Sequence, residues 1–383
     1  MLGRVVRTGA AVPGTGPCVQ GPPVLRTGER DTGGRVSAAP PEGARSLMAA
    51  VARDMGIRKN NGLRRNGATA LRLVAVAALY YAGARVGLLQ ELVRDQVTPL
   101  WPPTGIALAC LLVLGPMAWP GIALGAVAVN APIGPSPLAV LMIVAGNTLA
   151  PFCSYLLLRR VGFRPAVDRL RDALVLVFLG ALAGMLISAT VGTAALLLSG
   201  ALAAGDSWTA WSVWWTGDAM GVLVVTPVLL VLRRARLPRG VGPYRLLEAT
   251  ALLLGTAAVA LVAMRAEVSL LFLVFPFLIW AALRFQLAGA APCSLIVTLL
   301  AIASTAEDTG PFSHHSFPAQ MVILQAFNGS TALTALLLSA IIAERNATRR
   351  QIERVCAQLA DVVFRLTPDE PRPPGGDHSP DRR

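Results

Sequence analysis

The chain has 383 residues, 54% of them hydrophobic before glycine is counted and only 14% charged. Adding the 36 glycines brings the apolar share to about 63%, against about 45–50% in soluble domains. So few charges cannot cover a water-soluble globule, and a disordered chain needs low hydrophobicity. An ordinary cytosolic enzyme and an unfolded chain are both excluded. A formal charge of +13 beside a mean hydropathy of +0.59 points to a polytopic membrane protein whose arginines lie in aqueous loops.

Residues 1–66 are rich in Gly, Pro and Arg, with eleven basic and four acidic side chains. No apolar core follows the first arginines, so the segment is not a secretory signal, and its composition predicts disorder. Arg53, Arg58, Lys59, Arg64 and Arg65 directly precede the first apolar run and hold the N-terminus in the cytoplasm. Such basic flanks belong to membrane spans rather than to a nucleic-acid surface.

Apolar runs follow at 70–89, 104–115, 119–130, 137–158, 173–199, 209–232, 247–264, 269–283, 286–304 and 319–343. A span needs about 20 apolar residues, so the second and third are short and the eighth marginal. Arginine clusters arbitrate: Arg159–Arg171, Arg233–Arg245, Arg284 and Arg345–Arg350 all fall inside if the chain crosses ten times from a cytoplasmic N-terminus. The expectation is an all-α polytopic membrane protein, a bundle of about 8–10 transmembrane helices with both termini cytoplasmic. Its spanning domain covers 67–343.

The short pair is distinctive. Trp101-Pro102-Pro103-Thr104-Gly105-Ile106-Ala107-Leu108 is echoed by Trp119-Pro120-Gly121-Ile122-Ala123-Leu124. Proline suits a first helical turn, where its missing N–H has no partner to lose, and Gly115-Pro116 breaks the two helices apart. Such short, interrupted helices border ligand sites near the membrane midplane, though a tight hairpin with interfacial tryptophans has the same pattern. Asp218, in Thr216-Gly217-Asp218-Ala219-Met220-Gly221, lies roughly 13 Å into the sixth run at about 1.5 Å per residue. An aspartate there costs about 2.5–3.5 kcal/mol to insert, so it is paired, protonated or functional. Arg85 in the first run is its nearest basic candidate in depth. Asn147 and Asn328 are placed to hydrogen-bond between helices.

No phosphate-binding loop, nucleophile elbow, zinc motif or paired carboxylates occur. Cys18, Cys110, Cys153, Cys293 and Cys356 form no C-x-x-C pair, and the histidines are His314, His315 and His378. No enzymatic chemistry, cofactor or metal is expected. The segment 344–367 reads as a cytoplasmic helix before a proline-rich disordered tail, 368–383. Ile352, Val355, Leu359, Val362 and Leu366 recur at alternating three- and four-residue spacing, which suits either a parallel dimer seam or a helix lying on the bilayer.

The Trp101–Leu108 run, Trp119-Pro120-Gly121, Asn130, Gly146-Asn147-Thr148, Gly217-Asp218 with Gly221, Pro227, and Phe275-Pro276 through Trp280-Ala281-Ala282-Leu283-Arg284-Phe285 together resemble the membrane-associated sensor domain, type one. The resemblance runs in order over about 70–343. It implies a bacterial sensory input domain of the cell membrane, of the kind that precedes a histidine kinase or diguanylate cyclase. Members often carry an acid shortly after Gly-Asn-Thr, where this chain has Leu149-Ala150-Pro151; no role of that acid transfers. The residues after the last run are too few for a kinase or cyclase, so a separate kinase, cyclase or phosphatase is the expected output partner. The expected function is a non-enzymatic membrane sensor with a ligand site at Asp218, Trp101, Pro102, Pro103, Thr104, Gly105, Asn147 and Arg85. A transporter or transporter-associated subunit is the alternative.

Overall fold

Each of the ten apolar runs folds as a helix. In chain order these are α1 (Gly67–Leu88), α2 (Pro102–Leu114), α3 (Trp119–Asn130), α4 (Pro137–Arg160), α5 (Leu170–Leu198), α6 (Ala204–Arg234), α7 (Pro243–Arg265), α8 (Leu271–Phe285), α9 (Leu287–Ala306) and α10 (Phe317–Leu366). The computed structural model describes residues 67–89, 98–234, 242–266, 270–307, 309–312 and 316–366, with backbone alone at 317, 318 and 364–366. There is no strand among the described residues. The ends at 1–66 and 368–383, expected to be unfolded, lie outside the described residues. Chain contacts separate Met1–Gly62 from Leu63–Arg383, and every described residue belongs to the second unit.

Seven helices are long and apolar enough to cross a membrane: α1, α4, α5, α6, α7, α9 and α10. The 13 residues of α2 and 12 of α3 reach only about 18–20 Å at about 1.5 Å per residue, short of a hydrocarbon layer of about 30 Å. Large apolar side chains such as Leu71, Leu138, Leu141, Leu247 and Phe272 stand exposed on the outer surface, as a lipid-facing bundle requires. The fold is an all-α polytopic membrane fold.

Local chemistry sets the helix ends. Pro102 and Pro103 occupy the first turn of α2, and Gly115, at φ +85°, ends it. That left-handed turn suits glycine, which has no Cβ to clash. Ser136 caps α4 by accepting from the Ala139 N–H at 3.2 Å. Within α4, Pro151 lacks the N–H that would bond the Asn147 carbonyl in a regular helix. α5 widens to a π-helix over Leu176–Ala183, and α6 does so over Gly221–Val225, directly before Pro227. Local π turns absorb such interruptions and cluster at functional sites.

α2 is buried along nearly its whole length, from Pro102 to Ala109 and again at Leu111. A helix covered on all sides belongs to the protein interior. Its walls are α1, α4 and α6. Gly83 and Gly87 of α1 face the side chains of Ile106 and Trp101.

The helix expected from 344 continues directly from the last apolar run. α10 runs unbroken for 50 residues, because no proline intervenes between Pro318 and Pro368. Its length is about 75 Å, more than twice the hydrocarbon thickness. Where it leaves the bundle, Glu344 Oε2 accepts the Leu170 N–H at 3.0 Å and so caps the start of α5. Just before that cap, buried Val167 sits at φ +49°, a conformation a β-branched residue adopts only under constraint. Beyond 344, Ile352, Val355, Leu359 and Val362 are all exposed; the Leu366 side chain lies outside the described residues.

Candidate ligand cavity between α1, α2, α4 and α6

The cavity exists because two glycine-bearing segments let backbones touch. A Cβ on Gly105 would strike the Gly221 carbonyl, and one on Gly221 would strike the Trp101 carbonyl. At Gly217 a Cβ would lie 2.6 Å from the Thr98 oxygen. The Trp101 N–H donates to the Gly217 carbonyl at 3.1 Å, and the Thr226 hydroxyl donates to the Gly105 carbonyl at 3.0 Å. The start of α2 is thereby docked against α6, with polar backbone groups satisfied inside an apolar bundle.

This docking places Thr104 over Asp218. Thr104 Oγ1 donates to Asp218 Oδ1 at 2.6 Å, and the Ser188 hydroxyl of α5 bonds Oδ2. The Ser188 oxygen also lies 3.1 Å from the Met185 carbonyl. Trp214 is a further polar neighbour of the carboxylate. Asp218 is 1% exposed, so these donors replace water, which a buried carboxylate would otherwise lose at large cost.

A cavity of about 680 Å³ opens beside Asp218, within the usual range of about 300–1,000 Å³ for small-molecule sites. Polar groups in its wall are Arg85, Thr98, Asn130, Asn147 and Asp218; Trp101 and Trp214 add indoles, and Ile133, Ile143, Leu196 and Val213 add apolar surface. Asn130 Nδ2 is bonded to the Ala126 carbonyl at 2.8 Å. The hydroxyl of buried Tyr80 is within hydrogen-bonding reach of Trp101 and Asn147.

Of the eight residues singled out from sequence, Arg85, Trp101, Asn147 and Asp218 line this one cavity. Thr104 reaches it through its bond to Asp218. Pro102, Pro103 and Gly105 are buried in the first turns of α2, where they shape the docking rather than the wall. Arg85 is exposed and makes no ion pair with Asp218; the ion pairs among the described residues are Arg284–Glu248 and Arg349–Glu353. The expected interhelix bond of Asn328 is not made either: the residue is buried with neither amide atom partnered. Ser188, Tyr80, Thr98 and Trp214 were not legible as site residues, since lone hydroxyls and aromatics are common in apolar runs. Asn130 offered a signal, an amide directly before the Pro132–Pro135 turn.

One more bond leaves the cavity. Gln325 Nε2 on α10 donates to the Pro99 carbonyl at 2.7 Å, in the segment whose Thr98 and Trp101 form the wall.

A multi-pass helical bundle with a polar cavity at a docked short helix defines an integral-membrane domain rather than a soluble fold. Residues 72–346 match the family model of MASE1, a family of membrane-associated sensory domains, and the chain belongs to that family. No curated protein and no solved structure matches the chain.

Proposed function

We propose that this membrane sensory module binds a small ligand in the cavity beside Asp218 and transmits its occupancy through α10. The observation that carries the reading is the Gln325–Pro99 bond. It ties the cavity wall to a continuous helix that passes the Glu344 cap and extends beyond the bundle. A ligand that contacts Trp101 or Thr98 changes the energy of that wall, and only such a differential interaction can shift the position of α10. In this reading the cavity recognises a ligand without transforming it, both termini are cytoplasmic, and Ile352, Val355, Leu359, Val362 and Leu366 form a seam with a second copy of the chain. An output protein such as a kinase, cyclase or phosphatase reads that seam.

The test is disulfide crosslinking in membranes of a chain carrying cysteine at Leu359, with Cys356 replaced by serine. Ala210→Trp places a bulky ring in the cavity wall and mimics occupancy. A severalfold change in crosslinking rate supports the relay. An unchanged rate, with the protein at normal abundance, removes it.

The transport reading is favoured by one observation, a buried carboxylate at a docked, proline-initiated short helix, an arrangement suited to translocation. Proteoliposomes that accumulate the cavity's ligand would decide for it.

A further inference from the structure

Asp218 and Arg85 line the same cavity without pairing, and each lacks a charged partner among the described residues. Asp218 is the more demanding of the two. Its neighbours are hydroxyls and an indole, all neutral, and neutral donors compensate a desolvated carboxylate only in part. Its 1% exposure leaves a narrow edge towards the cavity it helps to line. A cation held at that edge adds the charge these neutral donors lack, and a carboxylate beside indoles is a surface an ammonium group selects. Asn130 is compatible with this. Its Nδ2 gives one hydrogen to the Ala126 carbonyl, and the Oδ1 acceptor of the same amide suits the ammonium end of a ligand, while its second N–H suits an acceptor.

Arg85 sets the opposite requirement. Arg85 is an exposed residue of the same wall, and its guanidinium, with five donors and no acceptor, selects an acidic group. A purely cationic ligand leaves Arg85 unused, and a purely anionic one brings a like charge to Asp218. We propose that the cavity takes a small zwitterion, its ammonium group on Asp218 and its acidic group on Arg85. This deepens, and rests on, the reading of the cavity as the sensory ligand site.

The experiment uses the purified full chain in detergent micelles, with thermal stabilisation and isothermal titration as readouts. The probes are the straight-chain ω-amino acids from β-alanine to ε-aminocaproate, which vary the charge separation, each compared with the amine, the acid and the alcohol of equal chain length. The expected result is binding by at least one ω-amino acid. Its acid and alcohol counterparts should bind about thirtyfold more weakly or worse, the scale for removing one partner of a desolvated charge pair. Arg85→Gln should bring the zwitterion down to the level of the amine, and Asp218→Asn should abolish the advantage of the amine over the alcohol. If Asp218→Asn does not fold, the probe series and Arg85→Gln still decide, because Arg85 is exposed. Equal binding by the alcohol, no binding by any ω-amino acid, or an undiminished preference in Arg85→Gln overturns the zwitterion. The crosslinking response to Ala210→Trp needs no ligand. A positive response with failed probes refutes the ligand class and leaves the sensory reading intact, whereas an absent response refutes the sensory reading.

Discussion

Gly221→Ala tests the docking of α2 against α6 directly. The added Cβ meets the Trp101 carbonyl, with the Trp101 carbonyl carbon at 3.0 Å and the Gly105 nitrogen at 3.6 Å. These are backbone atoms, so no side chain can swing aside. Overpacking of this kind costs about 1–3 kcal/mol and occasionally more. Relief requires α2 to move off α6, which breaks the Trp101–Gly217 and Thr104–Asp218 bonds. Each is worth about 0.5–1.5 kcal/mol, and more where a charged group is involved, so whether the strain is kept or relieved the cost is about 2–4 kcal/mol. Gly329→Ala in α10 is the matched control, since its Cβ meets only the Met220 methyl at 3.8 Å; replacing a mid-helix glycine there should be neutral or stabilising by about 0.5–1 kcal/mol. Thermal unfolding of the purified protein, followed by tryptophan fluorescence, compares the two. Equal stability of the two variants would show that the docking of α2 against α6 does not occur.

Gln325→Leu leaves the Pro99 carbonyl unpaired and should cost about 1–3 kcal/mol; ligand affinity should stay within a fewfold while the Leu359 crosslinking response disappears, and a retained response would acquit Gln325. Because Arg85 and Asp218 form no ion pair, the stability effects of Arg85→Gln and Asp218→Asn should add to within about 0.5 kcal/mol; a double variant clearly more stable than that sum would reveal direct pairing. In a cysteine-free background, cysteine at Gly205 should react with an impermeant maleimide in intact cells and cysteine at Gly242 should not; the reverse pattern inverts the proposed orientation.

The ten helices were legible because each is a run of apolar residues bounded by Gly, Pro or Arg, and the start of α2 was legible from Trp101-Pro102-Pro103. The continuity of α10 past 343 was also present in the sequence. Charges at Glu344 and Arg345 mark a change of solvent, not an end of the helix, and no proline follows before Pro368 to stop it. The π turns at Leu176–Ala183 and Gly221–Val225 left no trace in the pattern, since they arise from packing rather than propensity. Asp218 stood out by its charge alone. Ser188, which completes its hydrogen bonding, sits in Leu186-Ile187-Ser188-Ala189-Thr190 and is one hydroxyl among several until α5 is folded against α6. The pairing of Arg85 with Asp218 was inferred from depth, and depth does not specify azimuth around a helix.

Azimuth also gives the unbroken α10 a property that a hinged linker would lack. An α-helix advances about 100° per residue and resists twisting, so it carries an angular phase from one end to the other. Leu359 follows Gln325 by 34 residues in this helix, which places it about 160° around the axis from the bond to Pro99. The apolar stripe therefore faces away from the side bonded to Pro99, and in the proposed relay a small rotation at Gln325 would reach it as a rotation of that stripe. Inserting one residue after Ala347 would turn the stripe by about 100° relative to the bundle, whereas inserting seven would return it to within about 20°. In the proposed relay the output would be encoded in phase, and the helix could change length by whole heptads with little loss.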